Sequence, residues 1–445
     1  MRRKIIISAL VVAILLTATC VYFFIVPFVV VDCPAVTSDS SGGAIVIYEV
    51  YKGLRKRDLY VQRIDPEGGF LWAERGILIG SSYDGSYLDA VSDGSGGAVV
   101  IWQESFPEPP YVQPHVTKID SGGNVQWQTD IPSAEEAIKE AIPDGSGGFI
   151  IAYIDGNGNM WVLKIDAEGN LPWGEDGVSL NLGDSYLSDI ASDNLGGVIV
   201  VRYGVGNISA QRVDSGGDIL WQTGGVEVCG SPGGEARVVN DGSGGAIIVF
   251  ERNIPSEDGI GYIDLDIYVQ KVDAEGSVLW GPDGVPICIG PSKPYEPKIV
   301  ADGAGGAIAF FVDARGICAQ RVDADGHKLW DEDVELRATP YYSLVSDGSG
   351  GGISVWYGGG GISAAAQRID AAGRELWGPD GTTLTFRGLH LPLAAPDGCG
   401  GVLISWVANR FIIGEFMLGA TASYIQKVDA EGNVVWGNEG ILLNP

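Results

Sequence analysis

After residue 32, short apolar runs alternate with clusters of Asp, Ser and Gly along the whole chain. The runs are rich in Val, Ile and Tyr, and apolar and polar side chains alternate in segments such as Tyr268-Val-Gln-Lys-Val272. This period of two is typical of strands with one buried face. The clusters have turn chemistry, because Gly takes positive φ without steric cost and Asp hydrogen-bonds its own backbone two residues on. The pattern predicts hairpin-connected strands.

Two turn motifs each recur eight times. The first is Asp-Gly-Ser-Gly-Gly or a close variant, and it begins at Asp39, Asp93, Asp144, Asp193, Asp241, Asp302, Asp347 and Asp397. The second is Asp-x-x-Gly-x-x-x-Trp, and it ends at Trp72, Trp127, Trp173, Trp221, Trp280, Trp330, Trp377 and Trp436. Successive tryptophans of this set are 46 to 59 residues apart, a spacing typical of propeller blades rather than of helical or leucine-rich repeats.

Each repeat predicts four strands. In the sixth repeat these are Pro297-Lys-Ile-Val-Ala, Ala307 to Val312, Cys318 to Val322, and a segment from Lys328 onward. Eight such units fill residues 33–445, and the first and last resemble the others, so a closed ring is favoured over a linear array with exposed ends. Strand one opens the series and strand four ends it, so a swapped closing strand is not evident, and how the ring is latched stays open.

The N-terminus has a different pattern. After Met1-Arg-Arg-Lys4 the chain is uncharged and mainly apolar from Ile5 to Val31, which is 27 residues. About 20 apolar residues span a bilayer, whereas a cleaved signal normally has an apolar stretch of ~7–15. We therefore expect residues 1–32 to be a cytoplasmic basic stub and an uncleaved transmembrane anchor, with a cleaved signal or lipidation at Cys20 as alternatives. The basic residues predict a single-pass cell-membrane protein with its propeller outside the cytoplasm.

Composition and charge restrict the classes of partner that this chain could bind. The 67 glycines agree with many tight turns, and the formal charge of −29 argues against nucleic acid as a partner. Such an acidic surface favours solubility and repels anionic lipid headgroups, so only the N-terminal helix is expected to contact membrane. The six cysteines form no disulfide framework and no metal-binding pattern. A monomeric, all-β, eight-bladed propeller of four-stranded antiparallel blades, preceded by one transmembrane helix, is the predicted architecture.

The Asp-x-x-Gly-x-x-x-Trp element resembles the tryptophan-docking motif of eight-bladed quinoprotein-dehydrogenase-like propellers and of related outer-membrane assembly lipoproteins. Its turn is one residue shorter here between Asp and Gly. The whole repeat looks even more like repeats of bacterial and archaeal cell-surface propellers of unassigned function. The resemblance implies the fold, and it implies that the tryptophans of the second motif stack against the neighbouring blade. It implies nothing catalytic.

Candidate binding residues lie in variable connections. Alternating strand directions place both turn motifs on one face of the ring, so the opposite face carries the connections that differ between repeats, where binding usually occurs. Aromatic residues that could contact a glycan or a protein surface stand there: Phe106, Tyr111, Tyr262, Tyr341, Tyr342, Phe411 and Phe416. The alternative is that these aromatics pack their own loops.

The sequence contains little that indicates catalysis or cofactors. His115, His327 and His390 stand in different contexts without an evident nucleophile, and Asp155-Gly-Asn-Gly-Asn159 suits a turn better than a calcium loop. No cofactor is expected, although calcium stays open. We expect an extracytoplasmic propeller that binds a glycan or a surface protein. A protein-assembly scaffold of the cell envelope is the alternative, and a hydrolase, the least favoured class, predicts a close carboxylate pair in the central channel.

Overall fold

The computed structural model describes most of the chain after the apolar N-terminus. The described ranges are 35–51, 56–83, 88–106, 112–131, 138–155, 157–182, 186–204, 206–231, 233–255, 262–290, 292–336, 341–357, 363–385, 392–409, 412–413, 416–417 and 421–443. The predicted anchor at 1–32 lies outside them. Within them, no helix has the length and apolar character needed to cross a bilayer.

The described strands form eight four-stranded sheets, which we number as blades 1 to 8 in chain order. Blade 1 contains β1 (Ala35–Ser38), β2 (Ala44–Tyr51), β3 (Lys56–Ile64) and β4 (Ile77–Tyr83). Blade 2 contains β5 (Leu88–Ser92), β6 (Ala98–Ser105), β7 (Val112–Ile119) and β8 (Val125–Asp130). Blade 3 contains β9 (Ile138–Pro143), β10 (Phe149–Ile154), β11 (Met160–Ile165) and β12 (Val178–Ser179). Blade 4 contains β13 (Tyr186–Ser192), β14 (Val198–Tyr203), β15 (Ile208–Val213) and β16 (Val226–Cys229).

The second half of the ring repeats this plan. Blade 5 contains β17 (Gly233–Asn240), β18 (Ala246–Pro255), β19 (Tyr262–Val272) and β20 (Val285–Cys288). Blade 6 contains β21 (Tyr295–Ala301), β22 (Ala307–Asp313), β23 (Gly316–Val322) and β24 (Val334–Glu335). Blade 7 contains β25 (Tyr342–Ser346), β26 (Gly352–Tyr357), β27 (Ser363–Ile369) and β28 (Thr382–Thr385). Blade 8 contains β29 (Leu393–Pro396), β30 (Val402–Asn409), β33 (Thr421–Val428) and β34 (Ile441–Leu442), and the hairpin of β31 (Ile412–Ile413) and β32 (Phe416–Met417) lies between β30 and β33.

The blades close into a ring around a central channel. Consecutive strands pair antiparallel within each blade, and the first strand of each blade contacts the first strands of its neighbours, including β1 with β29. The first strands therefore line the channel, and the predicted eight-bladed propeller of four-stranded antiparallel blades is confirmed. Each described sheet is built from its own consecutive segment of chain. The ring thus closes by packing between blades 8 and 1, without a swapped strand.

The two motifs form self-capped turns on one face, which we call the turn face; the opposite face is the loop face. Asp39 Oδ1 accepts hydrogen bonds from the backbone N–H groups of Ser41 (2.9 Å) and Gly43 (2.7 Å). Asp65 does the same in the second motif, with Glu67 and Gly69. Position Gly43 requires glycine, because a Cβ there would lie 2.2 Å from a backbone oxygen of the strand opposite. Local side-chain hydrogen bonds of this kind fix the hairpin without any bound ion.

The fourth strand differs from the expectation. In blade 6 only an isolated bridge joins Lys328 to Val322, and the regular strand begins at Val334. Gln320, a buried residue on β23, stabilises this segment: its side-chain oxygen accepts from Trp330 N (3.2 Å) and its Nε2 donates to Trp330 O (3.2 Å). The glutamine thus takes the place of ladder partners and lets the tryptophan segment bulge outward.

Blade-to-blade contacts repeat around the ring. The Nε1 of all eight motif tryptophans donates to a backbone carbonyl in the second turn motif of the next blade, and Trp436 donates to Pro66 O (3.0 Å) across the closing seam. On each third strand an Arg or Lys bonds a turn carbonyl of the next blade, and Lys427 bonds Gly42 O at the seam. The apolar cores lie between adjacent blades, as in the cluster that contains Ala44, Tyr48, Leu403 and Trp436.

Candidate functional site

One position of the repeat brings unlike side chains together in the channel. It is the fourth residue before the aspartate of the first turn motif, and we call its eight members the channel ring. In chain order they are Ala35, Asp89, Glu140, Asp189, Arg237, Lys298, Ser343 and Leu393. All except Ala35 line a cavity of about 610 Å³. The ring has an acidic arc in blades 2–4, a basic pair in blades 5 and 6, and an uncharged arc in blades 7, 8 and 1.

The cavity lies toward the loop face. Each first strand enters the blade from the loop face and leaves it at the turn face, where the first turn motif follows. Ring residues such as Asp89 and Ser343 are the second residues of their strands. The remaining lining residues, Leu187, Ser188, Ile299, Leu344 and Ala394, come from the same part of the first strands. A ligand would therefore enter from the face whose connections vary.

Glu140 and Asp189 form a carboxyl pair in adjacent blades. Ile190 N donates to Glu140 Oε2 (3.2 Å), and Val238 N donates to Asp189 Oδ2 (2.7 Å), so each carboxyl also bonds the backbone of the next blade. Burial raises the pKa of Glu140 well above its usual value, and the charge and hydrogen bond of Asp189 raise it further. Burial also raises the pKa of Asp189, against the lowering effect of Arg237. The pair titrates as a unit and retains a proton to higher pH than isolated carboxyls do.

Arg237 and Lys298 form the basic pair. Arg237 Nη1 donates to Ser188 O (2.7 Å), and its Nη2 lies 3.7 Å from Glu235, so these contacts leave further N–H groups of the guanidinium for a ligand. Lys298 Nζ lies 5.3 Å from the centroid of the Tyr342 ring. Within the described ranges no carboxylate is at ion-pair distance from Lys298. Burial lowers the pKa of Lys298 and the Arg237 cation adds to that effect, whereas the charges of Glu296, Glu235 and Asp189 oppose it.

The uncharged arc and two tyrosines complete the mouth of the channel. Ser343 Oγ donates to Pro392 O (2.7 Å), and Leu393 is 42% exposed. Tyr341, two residues before Ser343, is 55% exposed. Tyr186 at the start of β13 is 66% exposed and stacks on Tyr203 with ring centroids 5.4 Å apart. The cavity lining on this side is mainly aliphatic, and the two tyrosines lie outside it, near the starts of β25 and β13.

The aromatic residues predicted from sequence have varied positions. Tyr341 is exposed at the channel mouth, and Phe106 is half-buried directly after β6. Tyr262 begins β19 and Phe416 begins β32. Tyr111 and Phe411 lie outside the described residues. The expectation that Tyr342 is exposed does not hold: it is the first residue of β25, it is 4% exposed, and its hydroxyl donates to Glu296 O in blade 6 (3.0 Å).

The aspartate and the histidines considered in the sequence analysis make contacts that stabilise turns and strands. Asp155 Oδ1 accepts from Asn157 N and Asn159 N (both 2.9 Å). The turn between β10 and β11 therefore has the same self-capped hydrogen bonds as the second motif. His115 stacks on Trp102 and lies 2.7 Å from Asp130, His327 lies in a turn beside Asp323, and His390 is outside the described ranges. Over the described residues, no group of three or more His, Cys, Asp or Glu side chains is arranged to hold a metal ion.

Sequence reasoning missed the channel ring, although a signal for it is present. When the eight repeats are aligned on the first aspartate of the turn motif, the fourth residue before it reads Ala, Asp, Glu, Asp, Arg, Lys, Ser, Leu. A column with five charged residues inside a strand that is otherwise mainly apolar marks a position where the repeat serves something other than packing.

The comparisons with known proteins concern the fold alone. No protein-family model matches the sequence, and no curated protein sequence matches it. Similar solved structures include the BP39L lectin from Burkholderia pseudomallei, with 12% identity over 92% of this chain and 98% of the lectin, and a TM-score of 0.48. Prolyl oligopeptidase B from Galerina marginata is 10% identical over 89% of this chain and 54% of its own, with a TM-score of 0.47. A protein from Lactobacillus plantarum is 14% identical over 74% and 93% of the respective chains, with a TM-score of 0.41.

Proposed function

We propose that this chain is a membrane-anchored, extracytoplasmic binding protein that takes a glycan chain or an exposed segment of a surface protein at the loop-face mouth of its channel. The observation that carries the proposal is the channel ring. The self-capping aspartates and the motif tryptophans recur in every blade because closure needs them in every blade. The ring position instead changes its chemistry from blade to blade, as expected for a site that recognises an asymmetric ligand.

The ring is unfavourable for stability alone. A half-buried carboxyl pair, and an ammonium group without a carboxylate at ion-pair distance among the described residues, both incur desolvation costs that an apolar lining would avoid. Functional sites commonly retain such groups. This cost supports a binding role for Glu140, Asp189 and Lys298.

Size and chemistry favour a slender ligand. A volume of 610 Å³ lies within the ~300–1,000 Å³ usual for ligand sites, and it is too small for a folded domain. Carboxylates accept hydrogen bonds from sugar hydroxyls, and exposed rings such as Tyr341 and Tyr186 supply apolar faces for contact. A sugar chain meets both requirements, and a protein partner would have to insert an extended segment.

The channel contains the close carboxyl pair that the hydrolase class predicts, but the hydrogen bonding of this pair differs from that of glycoside hydrolases. Two-carboxylate glycosidases place these groups about 5–5.5 Å apart, or about 6.5–9.5 Å apart when a water must fit between them. Glu140 and Asp189 are instead hydrogen-bonded to each other and to backbone N–H groups. This arrangement favours binding over the hydrolase class, while an envelope scaffold that works through protein contacts remains the second candidate.

A binding screen tests the proposal. The full chain in detergent micelles is titrated with a panel of cell-envelope polysaccharides, and saturable binding is expected for the native protein. Lys298→Met should weaken that binding at least tenfold. Arg374→Met is the matched control, because Arg374 is 77% exposed in a turn on the opposite face. Binding that Lys298→Met leaves unchanged would show that the channel is not the site, and no binding by any panel member would favour the scaffold.

The location is tested separately with Cys399. Cys399 is exposed, whereas the other described cysteines, Cys229, Cys288 and Cys318, are buried. A membrane-impermeant maleimide should label the native protein on intact cells, and Cys399→Ser should reduce that labelling. Labelling of Cys399 only after cell lysis would refute an extracytoplasmic propeller.

A further inference from the structure

We infer that the channel ring selects a ligand that carries an ammonium group and a carboxylate on the same small unit, such as an amino sugar acid. This inference rests on the proposed function and narrows its ligand class. It follows from the order of charges around the ring and from the cavity that these side chains line together.

The charges are segregated by blade. Asp89, Glu140 and Asp189 are consecutive, and Arg237 and Lys298 follow them. In a ring of eight blades, blade 6 lies opposite blade 2, so Lys298 faces the acidic arc across the channel. A ligand of one sign would meet an attractive arc and a repulsive arc, whereas a zwitterion can satisfy both, and like-charge contacts are a common means of rejecting the wrong ligand.

The basic pair provides the anion site. Lys298 has its pKa lowered by burial and by Arg237, so a carboxylate placed between these two cations would restore favourable electrostatics to both. Two neighbouring cations on adjacent strands bind a compact carboxylate well, because Arg offers paired N–H donors and Lys adds a point charge.

The acidic arc provides the ammonium site. Burial and mutual repulsion raise the pKa of the Glu140–Asp189 pair, which favours a protonated form over two adjacent negative charges. A bound ammonium group would supply the positive charge that the proton now supplies, and the proton would then be released. Binding of a cation at this pair should therefore be coupled to proton release, which a neutral or anionic ligand would not cause.

The uncharged arc accommodates the body of the ligand. Leu344, Leu393 and Ala394 line the cavity on the side away from Asp189 and Arg237. These side chains offer apolar contact without competing hydrogen bonds, which suits the carbon framework of a sugar ring. Charge at one side and apolar contact at the other would orient the ligand in the channel.

Four sugars built on the same six-membered ring test the inference by calorimetric titration of the full chain in detergent micelles. Glucose carries neither charged group, glucosamine carries the amine, glucuronate carries the carboxylate, and muramic acid carries both. Muramic acid is expected to bind at least tenfold more tightly than glucosamine or glucuronate. Titrations in two buffers with different ionisation enthalpies should show proton release with muramic acid and none with glucuronate.

Variants assign each group to its partner. Lys298→Met should abolish most of the difference in affinity between muramic acid and glucosamine. Glu140→Gln should abolish proton release and reduce the difference in affinity between muramic acid and glucuronate. Arg374→Met should change neither, and unchanged melting temperatures would exclude misfolding as the cause.

Two outcomes would overturn the inference. If the four sugars bind within threefold of one another, or if muramic acid does not bind, the ring does not select a zwitterion. In either case a panel polysaccharide that still binds the native protein and is lost in Lys298→Met would leave the proposed function standing. Muramic acid binding without any polysaccharide binding would instead retain the zwitterion site and refute the glycan-chain ligand.

Discussion

Replacement of Gln270 by leucine tests how much the buried glutamine stabilises the bulged segment of the fourth strand. Gln270 is fully buried on β19; its side-chain oxygen accepts from Lys271 N (2.9 Å) and Trp280 N (3.0 Å), and its Nε2 donates to Gly281 O (2.7 Å). Leucine has similar volume and no polar atoms. Lys271 N is buried and the Trp280 segment is half-buried, and each of these N–H groups left without a partner costs ~1–3 kcal/mol, whereas Gly281 is exposed and its carbonyl can bond water. Better burial of leucine offsets part of this cost, so the expected net loss is about 3 kcal/mol.

Differential scanning calorimetry measures this loss. With ~2.1 cal/mol/K of unfolding entropy per residue over roughly 400 residues, a loss of 3 kcal/mol lowers Tm by about 3–4 °C. Gln128→Leu is the control, because Gln128 is exposed on β8, and a change within ~0.5 kcal/mol is expected there. A Tm for Gln270→Leu within 1 °C of the native value would show that the glutamine contacts do not hold the bulge.

Three further predictions concern pH, the seam and the thiols. Because Glu140 has a raised pKa in the folded protein, the folded state binds more protons at this residue than the unfolded state does. The stability that this group contributes is present below its unfolded pKa and is lost as pH rises through its folded pKa. The Tm measured from pH 5 to 8 should therefore fall less steeply for Glu140→Gln than for the native protein. An identical slope in both proteins would contradict the raised pKa. Trp436→Phe removes the hydrogen bond to Pro66 O and should lower Tm by about 1–2 °C, whereas no change would show that this bond adds nothing to the seam. Burial raises the pKa of the Cys318 thiol, so a thiol reagent should modify Cys399 rapidly and Cys318 only after denaturation; rapid loss of both would argue against a closed ring.

The fold could be predicted because its determinants are local and repeated. Asp39 caps its own turn within four residues, and this signal recurs in every repeat at nearly constant spacing. The bulge at Trp330 was harder to foresee, because the residue that stabilises it, Gln320, lies on the preceding strand, ten residues away. In blade 2 Thr117 stands at the glutamine position and β8 includes Trp127, with a register shift beside it. In blade 3 Leu163 stands there, and the regular strand begins only at Val178, so the glutamine stabilises the bulge in six blades but is not its only cause.

The candidate site could be predicted only in part. The exposure of Tyr341 at the loop face followed from its place in an interblade connection, whereas the burial of Tyr342 depends on strand register, which moves a side chain from one environment to another with a shift of one residue. The approach of Glu140 to Asp189 depends on the spacing of adjacent first strands. Charge counts along the sequence do not reveal such a distance, since acids are present throughout the chain.

The distribution of contacts explains how the ring can hold a variable site. The contacts that recur in every blade, such as the bonds from Trp436 and Lys427 across the seam, end in the turns of the turn face. Polar contacts near the loop face differ between blades. Two examples are the hydrogen bond from Ser188 Oγ to Ala236 O and the one from Ser343 Oγ to Pro392 O. Closure therefore depends mainly on the turn face and on the apolar cores between blades. Substitutions at the channel ring can change what the channel binds while the contacts that close the propeller stay in place.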